Sequence, residues 1–263
     1  MIALIRGTVV ELDVICAVCG RDRAVALALC AFLVTGGVAS AQTADSSWNV
    51  EGGVGWDISL SGDFLAAGIG TLNDQATVIR SQSFGDVFGT GVQWQFSGGY
   101  MVDEFNEVRG QFCYQRVGSD LIELGTSGGS QLVATFDDYR AWSLEAGYRH
   151  YFAERRDRLR PYGGGALGVS IIDEIDGAFA APQAGITRFA TDFYDGTAAL
   201  TFGVNGGVLY GLNEQIDVNA QVGFRYNSGL SQIDGLVGTG LEDINDKSAR
   251  WTMPISIGVR FNF

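Results

Sequence analysis

Trp251-Thr-Met-Pro-Ile-Ser-Ile-Gly-Val-Arg-Phe-Asn-Phe263 divides, position by alternate position, into two chemical sets. Trp251, Met253, Ile255, Ile257, Val259, Phe261 and Phe263 form one; Thr252, Pro254, Ser256, Gly258, Arg260 and Asn262 form the other. Successive side chains of a β-strand point to opposite faces, so this is a ribbon with one apolar face and one face of polar and small residues. Such a ribbon serves a soluble sheet or a membrane wall equally well. What decides is how often the pattern recurs and what joins the copies.

The pattern recurs along the chain. Trp48, Val50, Val54, Trp56, Ile58 and Leu60 alternate with Asn49, Glu51, Gly53, Asp57 and Ser59, and Val92, Trp94, Phe96 and Tyr100 with Gln93, Gln95, Ser97 and Gly99. Further copies run over 107–117, 142–149, 197–210 and 216–227, and 160–172 completes the set although Gly163-Gly-Gly165 hides its alternation. With the last segment the count is eight. Links near 103–106, 153–160 and 211–214 are short, whereas those near 62–90, 118–137, 173–193 and 228–247 are long. Short turns at one end and long loops at the other are the layout of an outer-membrane barrel, periplasmic and extracellular respectively. The expected fold is all-β: a closed eight-stranded antiparallel up-and-down transmembrane β-barrel over residues 42–263, with both termini on the short-turn side. A polar face rich in Gly, Ser, Asn and Gln suits a narrow lumen. Trp and Tyr near strand ends suit aromatic girdles at two interfaces. Backbone groups in hydrocarbon must all be paired, so the first strand must close on the eighth.

Residues 1–41 read as a leader. Arg21-Asp-Arg23 precedes the apolar run Ala24–Val34, and Ala39-Ser-Ala41 has the form of a signal-peptide cleavage site before Gln42. The run is too short to span a bilayer as a helix. Residues 1–20 form an unusual extension ahead of the charged part. Cys16, Cys19 and Cys30 fall in the leader, leaving Cys113 alone in the mature chain, so no internal disulfide is expected. The net charge of −13 argues against nucleic-acid binding, which needs a basic surface.

Eight alternating strands, the aromatic-ended last segment and Arg160-Pro-Tyr-Gly-Gly-Gly-Ala-Leu-Gly168 together resemble the OmpA-like and opacity-protein-like outer-membrane barrels of Gram-negative bacteria. The resemblance covers essentially the whole mature chain. It implies an outer-membrane location, lipid and lipopolysaccharide as surroundings, and recognition of Phe261 and Phe263 by the barrel-assembly machinery. The peptidoglycan-binding domain that some members carry after the barrel is not expected beyond Phe263. The motifs specify the fold far better than any activity.

Strand polarity places Glu51, Glu107, Arg109, Glu145, Arg149, Asp217 and Arg260 in the periplasmic half of the lumen, with Asp57, Gln93, Gln115 and Arg225 in the outer half. The expected lumen network is Glu51, Arg109, Glu145, Arg149, Asp217, Arg225 and Arg260, with Arg260 beside Glu51 across the closing seam. Paired charges inside eight strands make a plug. His150, the single histidine, sits near an interface and lacks a nucleophile motif, so no catalytic residue, cofactor or enzymatic activity is expected. The long loops are acidic. Asp173, Glu174, Asp176, Glu242, Asp243 and Asp246 are weak candidates for a divalent cation, without EF-hand spacing. Apolar patches at 64–69 and 178–182 pack on each other or meet a partner.

Three functions compete on this reading. The first is a monomeric structural or surface-interaction barrel with a plugged lumen, and the second a small pore or transporter for a hydrophobic or small polar solute. A lipid-modifying enzyme is third. Fold analogy does not choose among them.

Overall fold

The computed structural model describes residues 47–233, 235–245 and 248–263; the leader with its signal-peptide reading, and Asp246, lie outside the described residues. Eight long strands form the barrel. They are β1 (Trp48–Ser61), β2 (Gly91–Met101), β3 (Asn106–Val117) and β4 (Tyr139–Tyr151), followed by β5 (Leu159–Ile172), β6 (Thr197–Gly211), β7 (Ile216–Asn227) and β8 (Arg250–Asn262). Each pairs antiparallel with its sequence neighbours, and β1 closes on β8 with Glu51 opposite Arg260.

Period-two alternation sorts the wall. Trp251, Ile255, Ile257, Val259 and Phe261 of β8 are exposed on the outside, while Thr252, Ser256 and Arg260 are buried within. Among the described outward positions of β1–β8, the arginines and carboxylates reduce to Arg116 and Arg140, both at the long-loop end and both held by Asp138. Charges on the outer wall are tolerated near an interface and not at mid-bilayer, so this distribution fits a hydrocarbon surround. Aromatic pairs mark the two ends: Trp48–Tyr100 at 5.0 Å on the short-turn side, and Tyr114–Trp142 at 4.4 Å and Tyr226–Trp251 at 5.2 Å on the other. Small residues let the interior crowd. A Cβ on Gly53 would lie 2.7 Å from the Ile257 carbonyl oxygen across the seam, so the inward glycine at that point admits its neighbours' side chains.

The short turns close on their own side chains. Asp103 accepts from the Phe105 amide at 2.8 Å, Asp157 from the Glu154 amide at 3.1 Å, and Asn213 from the amides of Gln215 and Ile216 at 2.9 Å each. These are the side-chain-to-backbone bonds that favour Asp and Asn in turns.

The long connections depart from expectation, being a folded β-cap rather than loops. A seven-stranded antiparallel sheet runs in the order Ser231–Gln232, Ile186–Asp195, Ile175–Ala181, Ser130–Phe136, Ile122–Ser127, Gln75–Ile79 and Gly68–Leu72. A short ladder joins Asp63–Leu65 to Gln82–Ser83, and α1 (Phe84–Val87) follows, with Ser83 and Asp86 forming a capping box. Each apolar patch of the sequence is inside in part: Phe64, Leu65, Phe179 and Ala181 belong to one buried cluster, while Ile69 is 78% exposed. Phe64 lies at its centre, edge-on to Phe84 at 5.3 Å, Phe88 at 4.9 Å and Phe136 at 4.9 Å. The cluster continues into the barrel through Val117, Tyr139, Ala141, Ile172 and Ala199, so an apolar core covers the outer end of the lumen.

Truncating Phe64 removes the ring that this core is packed around. Phe64→Ala is expected to destabilise the cap by about 3–5 kcal/mol. Limited proteolysis checks it: cleavage should appear within 62–90 and 118–137, while the barrel keeps its heat-modifiable mobility on gels.

Candidate functional site

The lumen is crossed by stacked tiers of polar side chains, each built from residues on several strands. In the lowest tier, Arg260 of β8 donates from Nη1 to Glu107 at 2.9 Å and to the Tyr151 hydroxyl at 2.6 Å. Tyr151 in turn donates to Glu107. Asp217 stands 3.8 Å from Arg260 Nε and accepts from Asn262 Nδ2 at 2.9 Å. Arg160 stacks on the Tyr151 ring with its guanidinium carbon 4.2 Å from the centroid.

Glu51 organises the middle tier. It accepts from Arg149 Nη1 at 2.9 Å and from Asn219 Nδ2 at 2.6 Å, with Arg109 at 3.8 Å. Arg149 also donates to Gln221 at 2.8 Å and lies over Tyr162, 4.3 Å from its centroid. Above it, Arg225 meets Glu145 at 3.3 Å and Gln93 at 3.1 Å, and Gln95 donates to Ser256 at 2.8 Å. A void of about 20 Å³ remains beside Gln111, Glu145, Asn205 and Arg225, which suits one water molecule. Cys113 is buried against Gln111, whose Nε2 is 3.0 Å from Sγ.

All seven expected lumen residues face inward, but their partnerships differ from the sequence reading. Arg260 is the backbone neighbour of Glu51, yet its guanidinium goes to Glu107 and Glu51 is taken by Arg149. The interior is narrow enough for a long side chain to reach across it, so adjacency along the seam does not decide pairing. Glu145, expected in the periplasmic half, instead joins Arg225 in the outer tier, because it lies midway along β4. Tyr151, Tyr162, Asn219 and Gln221 are network members that the sequence reading does not name. Parity finds the tyrosines, since Tyr151 follows Arg149 and Tyr162 follows Arg160 on inward positions.

Three buried charges stay outside these pairings, Asp57, Arg160 and Arg250, the last lying against the rings of Tyr139 and Phe84. Both carboxylate oxygens of Asp57 near the outer end, and Nε and Nη2 of Arg160 near the short-turn end, are buried without a hydrogen-bond partner. His150 faces outward, its Nδ1 2.9 Å from Asn106 Oδ1 and its ring between Phe105 and Phe152.

On the cap, Glu174, Asp176 and Asp192 bring carboxylate oxygens within 4.8 Å of one another, all exposed. Of the five sequence candidates among the described residues, Glu174 and Asp176 belong to this group; Asp192 joins because the strand 186–195 pairs it with Asp176. Asp173 and Asp243 stand outside it. Glu242 does local work, accepting from the amides of Gly238 at 2.7 Å and Gly240 at 3.2 Å, and such backbone bonds hold its carboxyl below the usual range. Burial pushes the Asp176 carboxyl up, and the charges of Asp192 and Asp137 push it further.

No protein-family model matches the chain, and no curated protein matches it. Among solved structures it is similar to Neisserial surface protein A, with 16% identity over 83% of this chain and 98% of that one and a TM-score of 0.43. It is similar to the outer membrane protein OprG from Pseudomonas aeruginosa, at 16% identity over 83% and 97% with a TM-score of 0.43. A major outer membrane protein from Thermus thermophilus gives 14% identity over 84% and 100%, with a TM-score of 0.44.

Two measurements test the geometry. Glu51→Gln strands Arg149 and should cost about 3–5 kcal/mol in urea unfolding from lipid vesicles, a loss that Arg149→Met in the same chain partly restores. For the cap, a carboxyl raised in the folded state contributes stability at low pH that is lost as pH rises through its folded pKa. Asp192→Asn relieves Asp176 and should raise the cap's melting temperature at neutral pH, with the gain vanishing under acid conditions where Asp176 is protonated in both states.

The described residues form a closed eight-stranded antiparallel barrel with a membrane-type exterior, a charge-filled interior and a folded β-cap.

Proposed function

We propose that this chain is an integral outer-membrane β-barrel with a structural or surface-interaction role. In this reading the barrel is a non-conducting anchor and the cap is the element displayed outside the cell. The observation that carries it is the double closure of the lumen. Arg260–Glu107, Arg149–Glu51 and Arg225–Glu145 occupy successive levels, and the apolar core of the cap lies over the outer end. Opening a path for solute would separate buried ion pairs, which costs several kcal/mol for each charge left uncompensated.

The short-turn end faces the periplasm and the cap faces the medium, with outer-membrane lipid and lipopolysaccharide around the wall. Phe261 and Phe263 point outward and are 45% and 62% exposed, which supports their reading by the barrel-assembly machinery during insertion. The protein works as a monomer without a cofactor. A planar-bilayer recording is the test: the purified protein should give no stable large channels. Steady conductance from the unmodified chain would replace the anchor with the pore reading.

A further inference from the structure

We propose that Arg160 binds a small oxyanion at the periplasmic mouth of the lumen, taking two oxygens of a carboxylate or phosphate on the Nε–Nη2 edge of its guanidinium. Arg160 is 5% exposed, and these two nitrogens are buried with no hydrogen-bond partner. They are also the two whose N–H bonds run parallel on one side of the group, the fork that matches an oxyanion bidentately. The Tyr151 ring, 4.2 Å away, covers one face of the guanidinium and sets its plane.

The hydrogen bonds within the tier point the same way. Glu107 is occupied by Arg260 and Tyr151, and Asp217 by Asn262 with Arg260 beyond it. The tier is neutral, two guanidiniums against two carboxylates, yet neither carboxylate hydrogen-bonds the Arg160 fork, and a buried donor pair without acceptors is costly. An oxyanion brought from outside supplies the two acceptors that the fork lacks.

The approach to this site is basic. Arg155, Arg156 and Arg158 lie in the turn that leads into β5, in a chain whose net charge is −13. Glu154 and Asp157 offset part of this charge and leave the turn net basic, and Arg158 lies over Tyr210 on the outer wall, 4.9 Å from its centroid. Such a local positive field concentrates anions at the mouth. Both fork nitrogens are covered, so uptake includes a local opening at the mouth, for which we take the adjoining 152–158 turn as the segment that yields. The proposal rests on the short-turn end facing water, as in the reading above. The anion comes either from that aqueous compartment or from the headgroup of an anionic lipid beside the turn.

The test uses the folded barrel with 15N-labelled arginine in dodecyl maltoside micelles, whose headgroup carries no phosphate. Titration with inorganic phosphate at fixed ionic strength is expected to shift the Arg160 Nε–H resonance saturably and to leave that of Arg109 in place. Arg160→Gln identifies the resonance by removing it. Arg160→Lys keeps the charge and loses the fork, and protection of the 152–158 turn by phosphate against proteolysis should then need about tenfold more anion. A second arm dopes the micelles with phosphatidylglycerol and omits inorganic phosphate. A shift already present there identifies a lipid headgroup, and a response to free phosphate alone identifies a soluble anion. Absence of a shift in both arms overturns the proposal, as does equal protection in Arg160→Lys. A barrel that responds as expected but enters bilayers with its short turns outward overturns the periplasmic assignment and leaves the anion site standing.

Discussion

Hydrocarbon offers nothing to a backbone N–H or C=O, and a strand placed in it must find partners along both edges. Pairing of β1 with β8 is what meets that demand here, from Asn49 opposite Asn262 to Ser61 opposite Trp251. Once the ring is closed, its circumference is set and the interior is narrow. Long polar side chains then have only one another to pair with. The opposed glycines Gly53 and Gly258 at the seam are part of the same constraint, because a side chain at either would press on the facing backbone.

Two interiors of opposite character meet inside one chain. Within the membrane the apolar groups point out and the charges point in; above it, the cap returns to the arrangement of a water-soluble sheet, with Phe64, Phe136 and Phe193 inside. Tyr139, Ile172 and Ala199 stand at the change-over, on barrel strands yet buried in the cap's cluster. Arg250 has the same position at the start of β8, its guanidinium 4.1 Å from the Tyr139 centroid and 5.0 Å from that of Phe84. Cation–π contact of this kind lets a charged group end the polar column beneath an apolar lid.

The barrel was legible because its signal is periodic and each copy repeats it. Parity alone places Arg260, Arg149 and Glu51 inside and Trp251 or Phe261 outside, and the structure has them there. Which inward charge meets which was not legible, since it depends on reach across the lumen between strands far apart in sequence. The cap escaped for another reason. Bulges between Glu123 and Gly125, and around Asp176 and Ala181, break its alternation, and the positive φ of Gly125 marks one of them. Its hairpins did carry a signal. Asn73-Asp74 and Gly128-Gly129 take positive φ at both turn positions, the two-residue turn that suits a tight hairpin, and each is flanked by strand.

The cap is contributed by every one of the long connections between barrel strands, and its sheet has no residue that is not tethered at both ends to the wall. Its core is therefore divided among segments that are separated from one another in sequence by pairs of wall strands. Phe64, Phe136 and the pair Phe179 and Phe193 travel on three separate connections and have no shared interior to enter until those connections stand side by side. Assembly thus has an order built into the connectivity. The wall supplies the scaffold on which a sheet, otherwise scattered along the sequence, can nucleate at low loop-closure entropy.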